Sequence, residues 1–409
     1  MLIINGNIMK KNLLLFFVLL IFTACSDDNP TANDLTPKFN RIQALMDSSW
    51  NGFRATYNLP SQGGIALFIN YKGTTKFLKV GMDADVNENY HFRIASNTKV
   101  FTSAAVMLLH QRGLLNIDDK ITALMPNKTE PYIPETPAYN VPFKDRITIR
   151  QLMQHMAGVY DITNYNIPDT VKQLYKGKNY LEYICETLGE DHQFTFEELV
   201  GVVSENHIYS DEPGTKHKYS NTGYTILAKI IERVSGMSYR EFITTELIQK
   251  NNLNNTSCPT LASEKALPSP YIRSYLFAKD QAEDVSESNM SGNVAEGNIV
   301  STPAEMSKWI KLFLTGNAGV NQQNIEIMKD YSINPVYKYG LGIFYSDTLG
   351  YGHNGAHEAY LSYVMYNEEM DCSICFVCTL WDYSGGTASF IKQFNYVADL
   401  CKKAVGIMK

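Results

Sequence analysis

Apolar residues recur at helical spacing from Leu35 to Tyr57, and then the pattern changes. Gly64 to Asn70 is a continuous apolar run, as expected of a strand buried on both faces. Thr74 to Val80 reads as its partner across the turn Tyr71-Lys72-Gly73. A strand-like run, His91 to Ala95, leads into a helical pattern over Val100 to Gln111. From about Gly113 to Val336 helices dominate. One spans Ile147 to His155 and ends near Gly158; another spans Thr222 to Val234 and stops at Ser235-Gly236, which suits a glycine cap. Thr302-Pro303-Ala304-Glu305 carries a complete helix start, with a capping threonine, proline at the first position and glutamate closing the box. Tyr160 to Asn206 is long, aromatic and weakly periodic, and fits either a wall over a cleft or a surface elaboration.

Beyond Val336 short apolar runs return at Tyr339 to Tyr345, Tyr360 to Asn367 and Cys372 to Trp381. A helical pattern, Ala388 to Val405, ends the chain. Strands near both ends with helices between them predict a mixed α+β or α/β chain. Its sheet is assembled from the two ends, and a mostly helical part is inserted, with a cleft at the seam. The sheet part covers about residues 37–95 and 337–409, the helical part about 96–336.

The candidate chemistry begins at Ser96-Asn97-Thr98-Lys99. The strand-to-helix change places Ser96 at a helix N-terminus and Lys99 one turn later on the same face. A serine hydroxyl is a poor nucleophile until a base takes its proton. A lysine amine one turn away can do so if burial keeps part of it neutral. The pattern recurs at Ser389-Phe390-Ile391-Lys392, inside the terminal helix and with almost no chain after it to supply partners. That copy is read as coincidence.

Further segments follow the first copy in order: Ile147 to Gly158, Tyr219-Ser220-Asn221, Val300-Ser301-Thr302 and Gly352-His353-Asn354-Gly355. Together with Phe92 to Lys99 this set resembles the serine beta-lactamase and penicillin-binding superfamily, in its class C-like branch of beta-lactamases, D-aminopeptidases, DD-carboxypeptidases and esterases. The resemblance runs over about residues 40–405. It implies a beta-lactamase-like fold with an antiparallel sheet flanked by helices, and an acyl-enzyme formed on Ser96. Lys99 eases deprotonation, and Tyr219 relays protons, as a phenolate if the neighbouring cation favours that form. Asn221 holds Lys99 and the substrate amide. His353 and Gly355 edge the cleft, the glycine leaving room for substrate backbone. The backbone N–H groups of Ser96 and Ala356 form the oxyanion hole. His155 belongs to a helix end near the site and is read as structural; His357 and Glu358 are read as cleft-edge or surface residues. Two departures stand out. His353 occupies a place where many relatives have lysine, which weakens the case for substrates with a free carboxylate and leaves esters, amides and D-amino-acid peptides open. Ala359-Tyr360 stands where relatives often have glycine before an aromatic, and either narrows the cleft floor or changes the start of the strand.

Residues 1–24 read as a signal peptide: Lys10 and Lys11, then the apolar run Leu13 to Phe22, too short to span a bilayer. Phe22-Thr23-Ala24-Cys25 resembles a lipobox, with Cys25 as the lipidated residue, and Ser26-Asp27-Asp28 resembles an acidic surface-targeting tag. Residues 25–36 suit a flexible tether, and 37–409 form the hydrolase domain. The expectation is an exported lipoprotein held at the outer membrane, on its periplasmic or cell-surface side. A net charge of −6 over 409 residues without a basic stripe argues against nucleic acid as a partner. The expected partners are a small-molecule or peptide substrate (cell-wall peptide, beta-lactam or ester) and, through the anchor, the membrane. Cys372, Cys375 and Cys378 lie on one predicted strand, where residue 375 faces away from the other two. Buried apolar cysteine is therefore the reading, and neither a metal nor a cofactor is expected.

Overall fold

A computed structural model describes residues 34–409; the leader, Cys25 and most of the tether lie outside the described residues. Ten α-helices occur among these: α1 Thr36–Tyr57, α2 Thr98–Gln111, α3 Ile149–Met153, α4 Tyr180–Leu188, α5 Phe196–Glu205, α6 Asn221–Ser235, α7 Tyr239–Phe242, α8 Pro303–Leu314, α9 Gln322–Lys329 and α10 Thr387–Met408. The strands are β1 Ile65–Tyr71, β2 Thr74–Val80, β3 Phe92–Arg93, β4 Tyr275–Ala278, β5 Gln281–Asp284, β6 Val300–Ser301, β7 Phe344–Ser346, β8 Gly350–His357, β9 Tyr360–Asn367, β10 Cys372–Cys378 and β11 Leu380–Asp382. The predicted Tyr160 to Asn206 stretch resolves into α4 and α5 with connecting loops.

The main sheet runs β2-β1-β10-β9-β8-β7, antiparallel throughout. Both ends of the chain build it, as the sequence pattern predicts. Alternation along the strands separates two cores. Ile65, Leu67 and Ile69 of β1 pack with Phe39, Ile42, Met46 and Trp50 of α1 and with Val397, Leu400 and Val405 of α10. Phe68 faces the other way, into the helical body. The β10 cysteines follow the same rule. Cys372 and Cys378 join the α1–α10 core and Cys375 the opposite one.

α2 runs through the helical body and is buried at every position from Thr98 to Leu109. A helix with no solvent-facing side over that length belongs in the middle of a core. Phe101 stacks on Trp309 of α8 with ring centres 4.2 Å apart, a contact worth roughly 0.5–1.5 kcal/mol beyond its buried area. Thr302 caps α8 by accepting from the Glu305 N–H. The Glu305 carboxylate does not turn back to close the expected box; it accepts from the Asn255 N–H and the Thr256 hydroxyl.

β8 and β9 are joined by Glu358 and Ala359, with φ of 43° and 62°. A type I′ two-residue hairpin turn needs left-handed backbone at both positions, and this region favours glycine. Ala359 keeps that geometry at a steric cost, and β9 still begins at Tyr360. Ala359→Gly is expected to raise unfolding stability by about 0.5–1 kcal/mol, read as a higher denaturant midpoint; an unchanged or lower midpoint would show that the turn carries no strain.

Candidate active site

Ser96 is the one residue between 91 and 109 that is not buried. It sits in a single 3₁₀ turn, Ala95–Asn97, between β3 and α2. The expected strand His91 to Ala95 is paired with β6 only at Phe92 and Arg93. Ala95 then takes a left-handed φ of 52°, and this sharp turn ends the strand before Ser96. The turn is held from both sides. Asn97 Nδ2 donates to Ile94 O at 2.8 Å and to Ser362 Oγ at 2.9 Å, and the Ile299 N–H donates to Thr98 Oγ1.

Lys99 lies in the first turn of α2 with no exposed surface. Its Nζ is 3.2 Å from Ser96 Oγ, 2.7 Å from Asn221 Oδ1 and 2.9 Å from Glu296 O. The Glu296 carboxylate lies 3.4 Å away. Burial pulls the ammonium down to about 8, although Glu296 and Asp161 work in the opposite direction. A neutral amine has two N–H groups and one lone pair. The N–H groups match Asn221 Oδ1 and Glu296 O, and the lone pair is left for the Ser96 proton.

Tyr219 precedes Ser220, which caps α6 by accepting from the Gly223 N–H. The Tyr219 ring centre is 4.8 Å from Lys99 Nζ. Burial holds its phenol well above its usual value, and the buried carboxylates of Glu296 and Asp161 push it the same way. The expected phenolate is therefore corrected: the resting phenol keeps its proton. Asn221 is oriented by its neighbours. Its N–H donates to Asp161 Oδ2 and its Nδ2 to Thr163 Oγ1, which leaves Oδ1 for Lys99.

His353 lies on β8, 1% exposed. Its Nδ1 faces the Asn354 carbonyl and must donate. Its Nε2 is 2.9 Å from the Tyr339 hydroxyl, which is 3.1 Å from His155 Nε2. His155 Nδ1 accepts from the Ser220 N–H, so its Nε2 carries the proton. One sequence of bonds satisfies every partner: Ser220 N–H to His155, His155 to Tyr339, Tyr339 to His353, and His353 to the Asn354 carbonyl. Both imidazoles are neutral in it. Burial and the Lys99 charge push His353 down to about 3 and His155 well below its usual value.

Gly355 packs directly against the Ser96 turn. A Cβ there would sit 2.5 Å from Ile94 O and 2.9 Å from Ala95 Cβ. The missing side chain makes room for the Ser96 turn itself. Ala356 follows on β8, with its side chain turned into the α1–α10 core. His357 Nε2 lies 3.1 Å from Met290 Sδ at the end of the strand. The second Ser-x-x-Lys lies apart, on α10: Ser389 Oγ accepts from Gly385 N–H and Lys392 lies over the Tyr57 ring.

The structure thus brings Ser96, Lys99, Tyr219 and Asn221 together and places His353, Gly355 and Ala356 on the adjacent strand. Sequence reasoning missed Glu296, Asp161, Thr163 and Tyr339. The one available signal was position: Glu296 lies five residues before Ser301, just ahead of the segment Val300-Ser301-Thr302 already singled out.

The family description Beta-lactamase matches residues 53–388. Penicillin-binding protein 4* of Bacillus subtilis (strain 168) is 28% identical over 224 residues, 54% of this chain and 41% of that protein. The chain therefore matches less than half the length of that relative. A D-stereospecific amidohydrolase from Streptomyces sp. superposes with a TM-score of 0.68 at 21% identity, covering 86% of this chain and 97% of the other. A D-amino acid amidase from Ochrobactrum anthropi SV3 gives 0.68 at 22% identity, covering 90% and 99%. These likenesses establish the fold.

The neutral imidazoles predict an acid sensitivity. An unfolded chain protonates its histidines near pH 6.5, whereas folded His353 does so only near pH 3. The folded value lies below the unfolded one, so this contribution is present above about pH 6.5 and is lost as pH falls toward 3. The denaturant midpoint should drop between pH 7 and pH 4, and His353→Gln should flatten that drop. Parallel pH curves for the two proteins would refute the buried neutral state.

Proposed function

We propose that this chain, which belongs to the beta-lactamase family, is a serine hydrolase that cleaves amides or esters lacking a free carboxylate through an acyl-enzyme on Ser96. The observation that carries the reading is a Lys99 amine 3.2 Å from Ser96 Oγ and pulled to about 8, close enough to neutrality to act as a base. Lys99 takes the Ser96 proton as Oγ attacks the carbonyl carbon. The C–O bond forms, and the negative charge on the carbonyl oxygen is met by the backbone N–H groups of Ser96 and Ala356. The proton passes through the Tyr219 phenol to the leaving nitrogen or oxygen, and the bond to the leaving group breaks. Water enters by the same proton route in reverse and releases the acid. Asn221 holds Lys99 and the substrate amide.

The substrate class rests on His353. In many relatives this position supplies a cation for a substrate carboxylate; here it is a neutral ring whose acceptor nitrogen is already occupied by Tyr339. The printed names of the two structural neighbours, an amidohydrolase and an amino acid amidase, agree with an amide substrate. Lys10 to Cys25 supports an exported, lipid-anchored protein at the outer membrane.

A fluorophosphonate should label wild type and not Ser96→Ala, and kcat/KM for a D-amino-acid amide or p-nitrophenyl ester should rise with pH to a plateau above about 8. Lys99→Met should lower that plateau by about 10²–10⁴-fold. Turnover surviving in Ser96→Ala would sink the mechanism. An adduct that persists in intact mass would instead make the protein an acylating binder. For the anchor, metabolic labelling with a fatty acid should mark the full chain and be lost in Cys25→Ala; equal labelling of both would exclude lipidation at Cys25.

A further inference from the structure

Glu296 is buried, 3% exposed, and meets Lys99 twice. Its carbonyl accepts from Nζ at 2.9 Å and its carboxylate lies 3.4 Å from the same atom. The other carboxylate oxygen accepts from Asn293 Nδ2 at 2.7 Å. The segment carrying it is clamped. Ala295 has a left-handed φ of 75°, a conformation that persists in a non-glycine residue only when its surroundings enforce it. Those surroundings are visible. The Ala295 N–H donates to Asn298 Oδ1, and Asn298 Nδ2 donates to the Pro259 carbonyl. The Ala295 carbonyl accepts from Thr102 Oγ1 at 2.6 Å, one turn beyond Lys99 on α2. Two successive carbonyls, of Ala295 and Glu296, are therefore fastened to one face of α2, and the carboxylate is aimed at Lys99.

We propose that Glu296 is a positioning residue for the reaction: it holds the Lys99 amine against Ser96 and sets how readily that amine gives up its proton. The inference rests on Lys99 serving as the base for Ser96. Every group facing Lys99 has been placed. Tyr219 and Tyr224 present their rings at 4.8 Å and 5.3 Å. His155 and His353 are neutral. Asp161 adds attraction without contact, because its oxygens are taken by Thr163, Asn164 and the Asn221 N–H. Glu296 is thus the carboxylate in direct contact, and it counteracts the desolvation that neutralises the amine. A lysine buried alone in this place would be a weaker base and held less firmly. With Glu296 beside it, the amine keeps enough proton affinity to extract the Ser96 proton.

The test is the acid limb of kcat/KM for a p-nitrophenyl ester, measured on the intact enzyme. Glu296→Gln keeps the shape and removes the charge. Its limb should move about one pH unit toward acid, so that its rate at pH 6.5, as a fraction of its own plateau, exceeds the wild-type fraction about tenfold. The plateau itself should fall. Glu296→Asp, which restores the charge, should bring the limb back toward the wild-type position. Asn293→Ala leaves the carboxylate but removes its donor, and should move the limb in the same direction by less; it serves if Glu296→Gln fails to fold. A limb that stays in place while the rate falls assigns Glu296 a purely structural part and overturns the inference. A wild-type limb that survives Lys99→Met removes the premise that Lys99 is the base, a different failure.

Discussion

A single amine withdrawn from water sets the terms for the rest of this site. Lys99 has no exposed surface, and an isolated ammonium in such a place is expensive. The protein answers with polar groups from three separate parts of the chain. Ser96 comes from the preceding turn, Asn221 from the start of α6, and Glu296 from the clamped segment before β6. Each contact ties a different piece of the helical body to α2. The solvation of one nitrogen and the assembly of the seam are therefore the same problem, and the outcome is an amine balanced between its two protonation states.

The surrounding groups are arranged so that this balance is not shared. Tyr219 keeps its proton because it is buried, and His155 and His353 are held neutral by burial and by the charge on Lys99. The His155–Tyr339–His353 hydrogen bonds give each ring one fixed tautomer. Among these residues Lys99 alone has a proton affinity near physiological pH. A site whose phenol and imidazoles keep one fixed protonation state is pre-organised, with little rearrangement required when charge develops.

Much of this could be read from the chain. The apolar run of β1, the turn into β2, the late strands and the terminal helix all announced a sheet made from both ends. Ser96, Lys99, Tyr219 and Asn221 stood out because their types and order carry chemistry. What the sequence hid depends on convergence or on backbone shape. Glu296 lies 197 residues from Lys99 and looks like one more loop carboxylate until the fold buries it. Tyr339 is one of 26 tyrosines, and only the approach of α3 and β8 makes it a bridge between two histidines. The strand expected over His91 to Ala95 stops short at Arg93, and no local pattern marks the left-handed Ala95. The contact of Gly355 with the Ser96 turn likewise joins residues far apart in sequence.

The pairing of β1 with β10 has a consequence of its own. Ile65 lies opposite Cys378, so the centre of the sheet joins residues from opposite ends of the chain. Closing a loop of that size costs about 5 kcal/mol of chain entropy before any contact repays it. A ribosome must release nearly the whole polypeptide before this pair can form, and until then the edge of β1 that β10 covers has no strand partner. Folding of the sheet is thereby deferred to the completed molecule. A nascent chain with that delay built into its topology carries an open strand edge until its last residues arrive.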